Sequence, residues 1–221
     1  MRYTIAVGVL LVASLYTKSA VLATPPSGLL CQKISVLKHP HKVCWTVDDH
    51  PNNYTLAILK ILRKHKIRAT FFVVGWPLYY YSRYPKDPGF KRLYGAFLAI
   101  LKDKHAVGNH SLTHKNLCKL SAKKVYRELK RTQKLVYRYS KANPTLWRAP
   151  FLSRCKKTWR AARRLKLTHV PAHVQDYRWS AKKMWRALRR RVLRGKKYSI
   201  VLLHSNPRKL RQFLQLIQQH P

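Results

Sequence analysis

The sequence predicts an α/β fold in which parallel strands alternate with helices, and three observations support it. Short apolar runs recur along the chain, the segments between them have helical periodicity, and polar side chains follow where the apolar runs end. Such alternation is typical of a parallel sheet, either open or closed into a barrel. Barrel enzymes carry their chemistry at the carboxyl ends of the strands, so the pattern also predicts an active site there.

The first half of the chain contains three predicted strands. Residues 43–47 and 69–74 are β-branched or aromatic runs, and a short strand is expected near Ala106. A helical face lies between the first two strands, formed by Leu56, Leu59, Ile61 and Leu62. Residues 76–89 contain three prolines and a run of tyrosines and predict a long loop, followed by a helix over 90–103.

The second half repeats the pattern. Ser121 is a suitable N-cap for a long basic helix. Strands are predicted at 146–148, 167–170 and 199–203, and helices at 156–165, 181–193 and 207–218. Pro207 stands where the first turn of a helix tolerates proline.

The N-terminus resembles a secretory signal, with Arg2, an apolar stretch over residues 5–16 and small residues before Thr24. An uncleaved anchor is the alternative, but polar residues keep the apolar run below the roughly 20 residues of a membrane span. We therefore expect a signal peptide over 1–23, a lead-in over 24–42 and one domain over 43–221. The expected location is periplasmic or secreted.

The composition is extremely basic, with 47 Lys and Arg residues against six Asp and Glu and a formal charge of +41. Such a charge predicts a polyanionic neighbour. For an exported protein, an anionic envelope polymer or a membrane surface is more natural than nucleic acid. A cationic surface with no specific partner is the alternative.

Four cysteines are present: Cys31, Cys44, Cys118 and Cys155. They lack the close spacing of a structural zinc site. In an oxidising compartment they could form two disulfides, and sequence alone leaves three pairings open.

Two adjacent aspartates, Asp48 and Asp49, follow the first predicted strand, although the chain has only six acids. A turn that caps the next helix is the alternative explanation. His110 and His114 are four residues apart, which places both imidazoles on one face of a helix or turn. One carboxylate and two imidazoles suit zinc or a similar divalent ion.

A second histidine pair, His169 and His173, has the same spacing, but Pro171 interrupts it and no acid lies close in sequence. We therefore do not expect a metal there.

Polar or aromatic groups also follow the later apolar runs. Arg148 and Phe151 lie in WRAPF, Asp176 and Trp179 lie in HVQDYRW, and His204 ends the last predicted strand.

Four segments in order, TVDDHP, HSLTH, RAPF and LLH, resemble motifs of the polysaccharide deacetylases, the NodB-homology domain of carbohydrate esterase family 4. The resemblance runs from about Val43 to His204. It implies a deformed (β/α) barrel of the NodB-homology type. It also implies metal-dependent removal of N-acetyl groups, as acetate, from amino-sugar polymers such as peptidoglycan or chitin-like chains.

By position, the resemblance implies that Asp49, His110 and His114 hold the metal, usually zinc in this family. Asp48 would be the general base, and His204 would protonate the leaving amine.

Further roles follow from the same motifs. The backbone N–H of Phe151 would stabilise the oxyanion, Arg148 would keep Asp48 ionised, and Leu203 with Trp179 would form an apolar wall for the acetyl methyl group.

Two positions depart from the family pattern. His50 replaces a glycine. The imidazole adds bulk and could serve as a further ligand beside the metal. If that position needs positive φ, the backbone would also be strained. Arg178 stands where the family commonly has an acid, which leaves open whether Asp176 pairs with Arg148 instead.

A catalytically weak, strongly basic glycan- or surface-binding protein with this fold is the second functional hypothesis, and a nucleic-acid binder is the third.

Overall fold

The structure is a computed structural model that describes residues 24–221. It contains an eight-stranded sheet in the order β6-β5-β4-β3-β2-β8-β7, with β1 paired to β2. The β1–β2 pair is antiparallel and all other pairs are parallel. The strands are β1 (Cys31–Val36), β2 (His39–His50), β3 (Thr70–Val73), β4 (Ala106–Asn109), β5 (Leu146–Trp147), β6 (Thr168–His169), β7 (Val174–Gln175) and β8 (Tyr198–Leu203).

Seven α-helices connect or flank these strands in the described chain. They are α1 (Thr55–Lys64), α2 (Trp76–Arg83), α3 (Pro88–Lys102), α4 (Ala122–Ser140), α5 (Lys156–Arg164), α6 (Ala181–Leu193) and α7 (Pro207–Gln218). Short 3-10 turns lie at Leu117–Lys119 and Pro150–Leu152.

The helix starts follow from local side-chain chemistry. Asp87, Ser121, Ser180 and Asn206 each accept a hydrogen bond from a backbone N–H of the first turn of the following helix. Such caps satisfy donors that have no partner inside the helix. The apolar faces of the helices then pack on a sheet whose central strand β2 is almost wholly buried from residue 43 onward.

The structure corrects the predicted loop over residues 76–89. Trp76–Arg83 is helix α2, and Pro88 and Gly89 already belong to α3. The prolines misled the prediction because Pro77 and Pro88 occupy first turns, where a helix does not need the N–H that proline lacks.

The strand predicted at 43–47 is longer than expected, since β2 spans His39–His50. Asp48 and Asp49 are therefore among its last three residues rather than after it. The predicted lead-in contributes β1 and the start of β2 to the sheet. The predicted signal peptide lies outside the described residues.

Two disulfides resolve the pairing that sequence left open. Cys31 bonds Cys44 between β1 and β2, and Cys118 bonds Cys155 between the 3-10 turn before α4 and the start of α5. The first disulfide joins two consecutive strands across a sequence separation of 13, and the second spans a separation of 37. Among the described helices, none has the length and apolar character needed to cross a membrane.

Candidate active site

The two adjacent aspartates reach one cavity because β2 is irregular at its end. The pairing of β2 with β3 shifts register between Asp48 and His50, so Asp49 lies in a bulge, with φ of 67°. Successive side chains of a regular strand point to opposite faces, and a bulge redirects one of them. Both carboxylates therefore line the same cavity at the carboxyl end of the sheet.

The two predicted metal-binding histidines converge on Asp49. His110 directly follows β4, and His114 lies in the turn after it, with φ of 56°. Asp49 Oδ1 is 3.3 Å from His110 Nε2 and 3.0 Å from His114 Nε2. One ligand atom from each of the three residues lies within 4.8 Å of the others.

The donor set fits a divalent cation. The Nδ1 of His110 lies 2.8 Å from the carbonyl oxygen of Arg148, and because a carbonyl only accepts, Nδ1 carries the hydrogen. Nε2 is then the ring nitrogen available to a metal, the arrangement typical of metal-binding histidines. Asp49 Oδ1 is buried and receives no well-aligned hydrogen bond from the described residues. Burial opposes ionisation of Asp49, but the two imidazoles outweigh it and hold the pKa of its carboxyl well below the usual range.

The second aspartate, Asp48, is paired with a buried arginine. Arg148 Nη1 donates to Asp48 Oδ1 at 2.8 Å, and both side chains are almost fully buried. Arg148 also donates to the carbonyls of Val170 and Pro171 and to Thr46 Oγ1. These bonds fix the guanidinium and leave Asp48 Oδ2 facing His110 Nε2 at 3.7 Å.

Asp176 pairs with His204, and not with Arg148. Asp176 Oδ1 lies 2.5 Å from His204 Nδ1, and Asp176 Oδ2 accepts from the backbone N–H of His204 at 2.8 Å. Burial favours the neutral imidazole, but the hydrogen bond and charge of Asp176 outweigh burial and raise the pKa of His204. Asp176 therefore does not replace the missing acid at position 178 as a partner of Arg148, because Arg148 is already held by Asp48 and two carbonyls.

The cavity that contains these groups has a volume of about 500 Å³. It is lined by Asp48, Asp49, His110, His114, Phe151, Leu152, Gln175, Tyr177, Arg178, Leu202 and His204. Several lining residues have positive φ, a costly conformation that tends to cluster at functional sites: Asp49, His114, Phe151, Leu152 and Arg178. The Phe151 ring lies 4.8 Å from that of His114.

The predicted apolar wall requires a correction. Neither Leu203 nor Trp179 lines the cavity, because both pack in or against the main hydrophobic core. Side chains alternate along β8, so Leu202 faces the cavity when Leu203 faces the helices. Tyr177, which is exposed, lies on the cavity side of the loop that contains Trp179.

His50 is neither a further metal ligand nor strained in the way expected. Positive φ falls on Asp49 instead. His50 is fully buried, its Nδ1 lies 2.8 Å from Thr55 Oγ1, and its ring packs edge-on against Phe71. Burial lowers the pKa of His50 to about 3, so the ring is neutral.

Sequence reasoning missed residues that hold the segments bearing the predicted metal ligands in place. Glu128 on α4 accepts from the backbone N–H groups of Leu112 and Thr113, and Asn109 accepts from that of Ser111. Asn52 donates to the carbonyl of Asp49. The scarcity of acids was a usable signal for Glu128, whereas nothing local distinguished the two asparagines.

The two histidines of the second pair, His169 and His173, have different neighbours. His169 lies between Trp147 and Trp159, while Nδ1 of His173 accepts from the backbone N–H of Ile200. The described chain offers one group with metal-ligand geometry, and it does not include these histidines.

Residues 36–170 match the sequence model of the polysaccharide deacetylase family. The chain belongs to the polysaccharide deacetylase family. A family 4 carbohydrate esterase from Streptomyces lividans has a similar structure, with a TM-score of 0.65 at 23% identity over 86% of this chain and 88% of that one. The predicted fold, a deformed (β/α) barrel of this family, is confirmed.

Two curated relatives are named deacetylases. A peptidoglycan-N-acetylglucosamine deacetylase from Listeria monocytogenes is 32% identical over 127 residues, which cover 57% of this chain and 25% of that protein. A chitooligosaccharide deacetylase from Azorhizobium caulinodans is 26% identical over 180 residues, which cover 80% of each protein. This chain therefore matches about a quarter of the length of the Listeria relative.

Proposed function

We propose that this polysaccharide deacetylase hydrolyses N-acetyl groups on a polymer containing N-acetylglucosamine and releases acetate, with peptidoglycan as the first candidate substrate. One observation carries the proposal: a carboxylate and two imidazoles converge on one point, in the same cavity as a second carboxylate and a third imidazole. The names of the relatives support this choice of substrate class.

In this proposal Asp49, His110 and His114 hold a divalent cation, and zinc suits this donor set best. When bound, such an ion polarises a carbonyl and lowers the pKa of water. No other metal group of this kind is found within residues 24–221.

The protein's own groups would move the protons. Asp48 has one oxygen held by Arg148 and one directed toward the cavity, so the free oxygen can accept a proton from the attacking water. His204, whose pKa is raised by its pairing with Asp176, can donate a proton to the leaving amine. The backbone N–H of Phe151, at the cavity wall, is the proposed donor to the oxyanion.

Acetate release from N-acetylglucosamine oligomers tests the proposal. We expect release by the zinc-loaded protein, its loss after treatment with a chelator, and its return when zinc is restored. Tight binding of the same oligomers with no acetate release at any metal concentration would favour the glycan-binding alternative.

The pH dependence of the reaction should depend on Asp176. His204 acts as an acid, and its raised pKa keeps it protonated to higher pH. In Asp176→Asn the hydrogen bond and charge that raise this pKa are weakened, so the alkaline limb of the kcat profile should move to lower pH. The measurement is kcat against pH for both proteins. An alkaline limb that stays in place would exclude His204 as the group titrating there.

We further propose that the protein is exported. Two disulfides, which persist in oxidising compartments, support this proposal. So do the composition of residues 1–23 and the nature of the proposed substrate.

The extreme positive charge supports a polyanionic partner, because the few acidic side chains of the protein neutralise almost none of it. Of the Lys and Arg residues in the described chain, only Arg63 and Arg148 pair with a carboxylate. Helix α6 presents exposed Arg186, Arg189 and Arg190, and the exposed Arg194 directly follows it. An anionic envelope polymer or membrane surface is the proposed partner.

Salt should weaken this association. Raising ionic strength from about 0.1 to 1 M shortens the Debye length from about 10 to 3 Å, so binding to anionic cell-wall polymer or anionic vesicles should fall steeply. Neutral vesicles and uncharged polymer are the controls. Binding that persists unchanged at 1 M salt would refute an electrostatic partner, and DNA in a parallel assay tests the nucleic-acid alternative.

A further inference from the structure

Helix α2 carries a row of exposed aromatic rings. Trp76 and Tyr80 lie one turn apart, and Tyr84 follows after another turn, just beyond the end of the helix. Their exposed fractions are 38%, 40% and 55%. Phe90, in the first turns of α3, stacks on Tyr80 with 5.2 Å between ring centroids and 14° between planes. We call these four residues the aromatic platform.

The exposed rings are not required to attach α2 to the protein. Pro77 and Leu78 are buried on the opposite side of the helix. Tyr81 stacks on Tyr94 at 3.9 Å, and Tyr94 packs edge-on against Tyr139 of α4. The helix thus has a packed face and a separate exposed aromatic face, and contiguous exposed aromatic surface marks an interaction site.

Two connections place the platform beside the metal-binding segments. The backbone N–H groups of Gly75 and Trp76 donate to the carbonyls of Ser111 and Leu112, both at 2.9 Å, within the segment that bears His110 and His114. On the other side, Arg92 of α3 donates to Asn53 Oδ1 at 3.0 Å, in the loop that follows Asp49.

The chain topology gives the same placement. Helix α3 connects to the start of β4, so its last turn lies near the amino end of the parallel strands. Its first turns, with Phe90, therefore lie toward the carboxyl end, where the cavity opens. The aromatic platform and the cavity share one edge of the fold.

We infer that the aromatic platform binds sugar rings of the polymer that flank the unit placed in the cavity. This inference rests on the proposed function for the identity of the polymer. Aromatic rings offer flat apolar faces at low conformational cost, and these suit the C–H-bearing faces of pyranose rings. The ring planes of Tyr80, Tyr84 and Phe90 are inclined to one another by 14° to 30°, whereas Trp76 lies edge-on to Tyr80 at 69°.

A membrane interface is the competing occupant, since tryptophan and tyrosine also favour that environment. Membrane insertion normally uses exposed aliphatic side chains as well. The platform itself contains only rings and lies beside the segments that line the cavity, which favours the sugar polymer.

The test measures binding and activity separately. Binding of the protein to insoluble peptidoglycan and to chitin is measured with a chelator present, so that no turnover occurs. Tyr80→Ala removes the central ring and should weaken polymer binding about tenfold, equivalent to about 1.4 kcal/mol. Tyr80→Phe keeps the ring and should bind as the wild type does. Tyr137→Ala removes a similarly exposed tyrosine near the C-terminal end of α4, outside the platform, and should also leave binding unchanged.

With zinc present, Tyr80→Ala should lower the ratio of kcat/KM on polymer to kcat/KM on a disaccharide about tenfold, because only a long substrate reaches both sites. Equal polymer binding by Tyr80→Ala and wild type, with an unchanged ratio, would overturn the inference. Loss of binding to anionic vesicles but not to polymer would overturn it in favour of a membrane. If no variant releases acetate yet Tyr80→Ala still loses polymer binding, the inference stands and the proposed hydrolysis fails.

Discussion

The Asp48→Asn variant should release acetate about 10²- to 10⁴-fold more slowly than the wild type, the range expected when a general base is removed. An amide cannot accept the proton that the free carboxylate oxygen would take. Zinc content should stay at one ion per chain, because Asp48 is not among the three converging ligands. The measurement is acetate release at saturating substrate together with metal analysis of the same sample.

The same change leaves the charge of the buried Arg148 without a carboxylate, which by itself is expected to reduce stability by about 3–5 kcal/mol. Thermal unfolding must therefore accompany the assay, and activity must be measured well below the midpoint. Asp103→Asn is a matched control, because Asp103 pairs with the exposed Arg63 and should retain full activity. A folded, zinc-loaded Asp48→Asn within tenfold of the wild-type rate would show that another group is the base.

A second large effect is expected from His110→Ala. His110 is buried, its ring is oriented by the carbonyl of Arg148, and its Nε2 lies between the two aspartates. Without it, only Asp49 and His114 remain as ligands. Removing a residue that only orients a metal ligand lowers affinity by up to about 100-fold, so removing a ligand itself should lower zinc affinity by more than that. Titration calorimetry with zinc measures this directly, and acetate release should fall to the chelated level.

His169→Gln provides the matched control. His169 belongs to the other histidine pair with four-residue spacing, yet lies against two tryptophans away from the metal ligands. This variant should bind one zinc with wild-type affinity. If His110→Ala also binds zinc normally, the metal site is elsewhere and the proposed assignment of ligands fails.

Several parts of the fold could be predicted from sequence because their signals are local. The strands at 69–74 and 199–203 are mostly apolar, β-branched or aromatic runs, and α4 begins after the Ser121 cap as predicted. The helix α2 was missed because proline acts as a breaker in a helix interior and as a normal residue in a first turn. Composition does not distinguish those two positions. The two-residue strand β7 was missed because Val174 is the one apolar residue among residues 173–176, whereas the equally short β5 and β6 lie within the predicted runs 146–148 and 167–170.

In the candidate site, too, the residues with local sequence signals were predicted and those without such signals were not. The structure brings eight residues named from sequence to one edge of the sheet. They are Asp48, Asp49, His110, His114, Arg148, Phe151, Asp176 and His204. The apolar wall was assigned one residue away, because a strand that is buried on both faces gives no alternation from which to choose between Leu202 and Leu203.

The amino-acid sequence by itself determined the family, the strand and helix alternation, and which side chains are candidates for acid, base and metal-binding roles. Only the tertiary structure decided that Asp176 serves His204, that Cys31 bonds Cys44, and that Trp76, Tyr80 and Tyr84 form an exposed row. The physical reason is that residue type and spacing act within a segment. Contacts between segments depend on strand order and on how the helices pack, which no single segment contains.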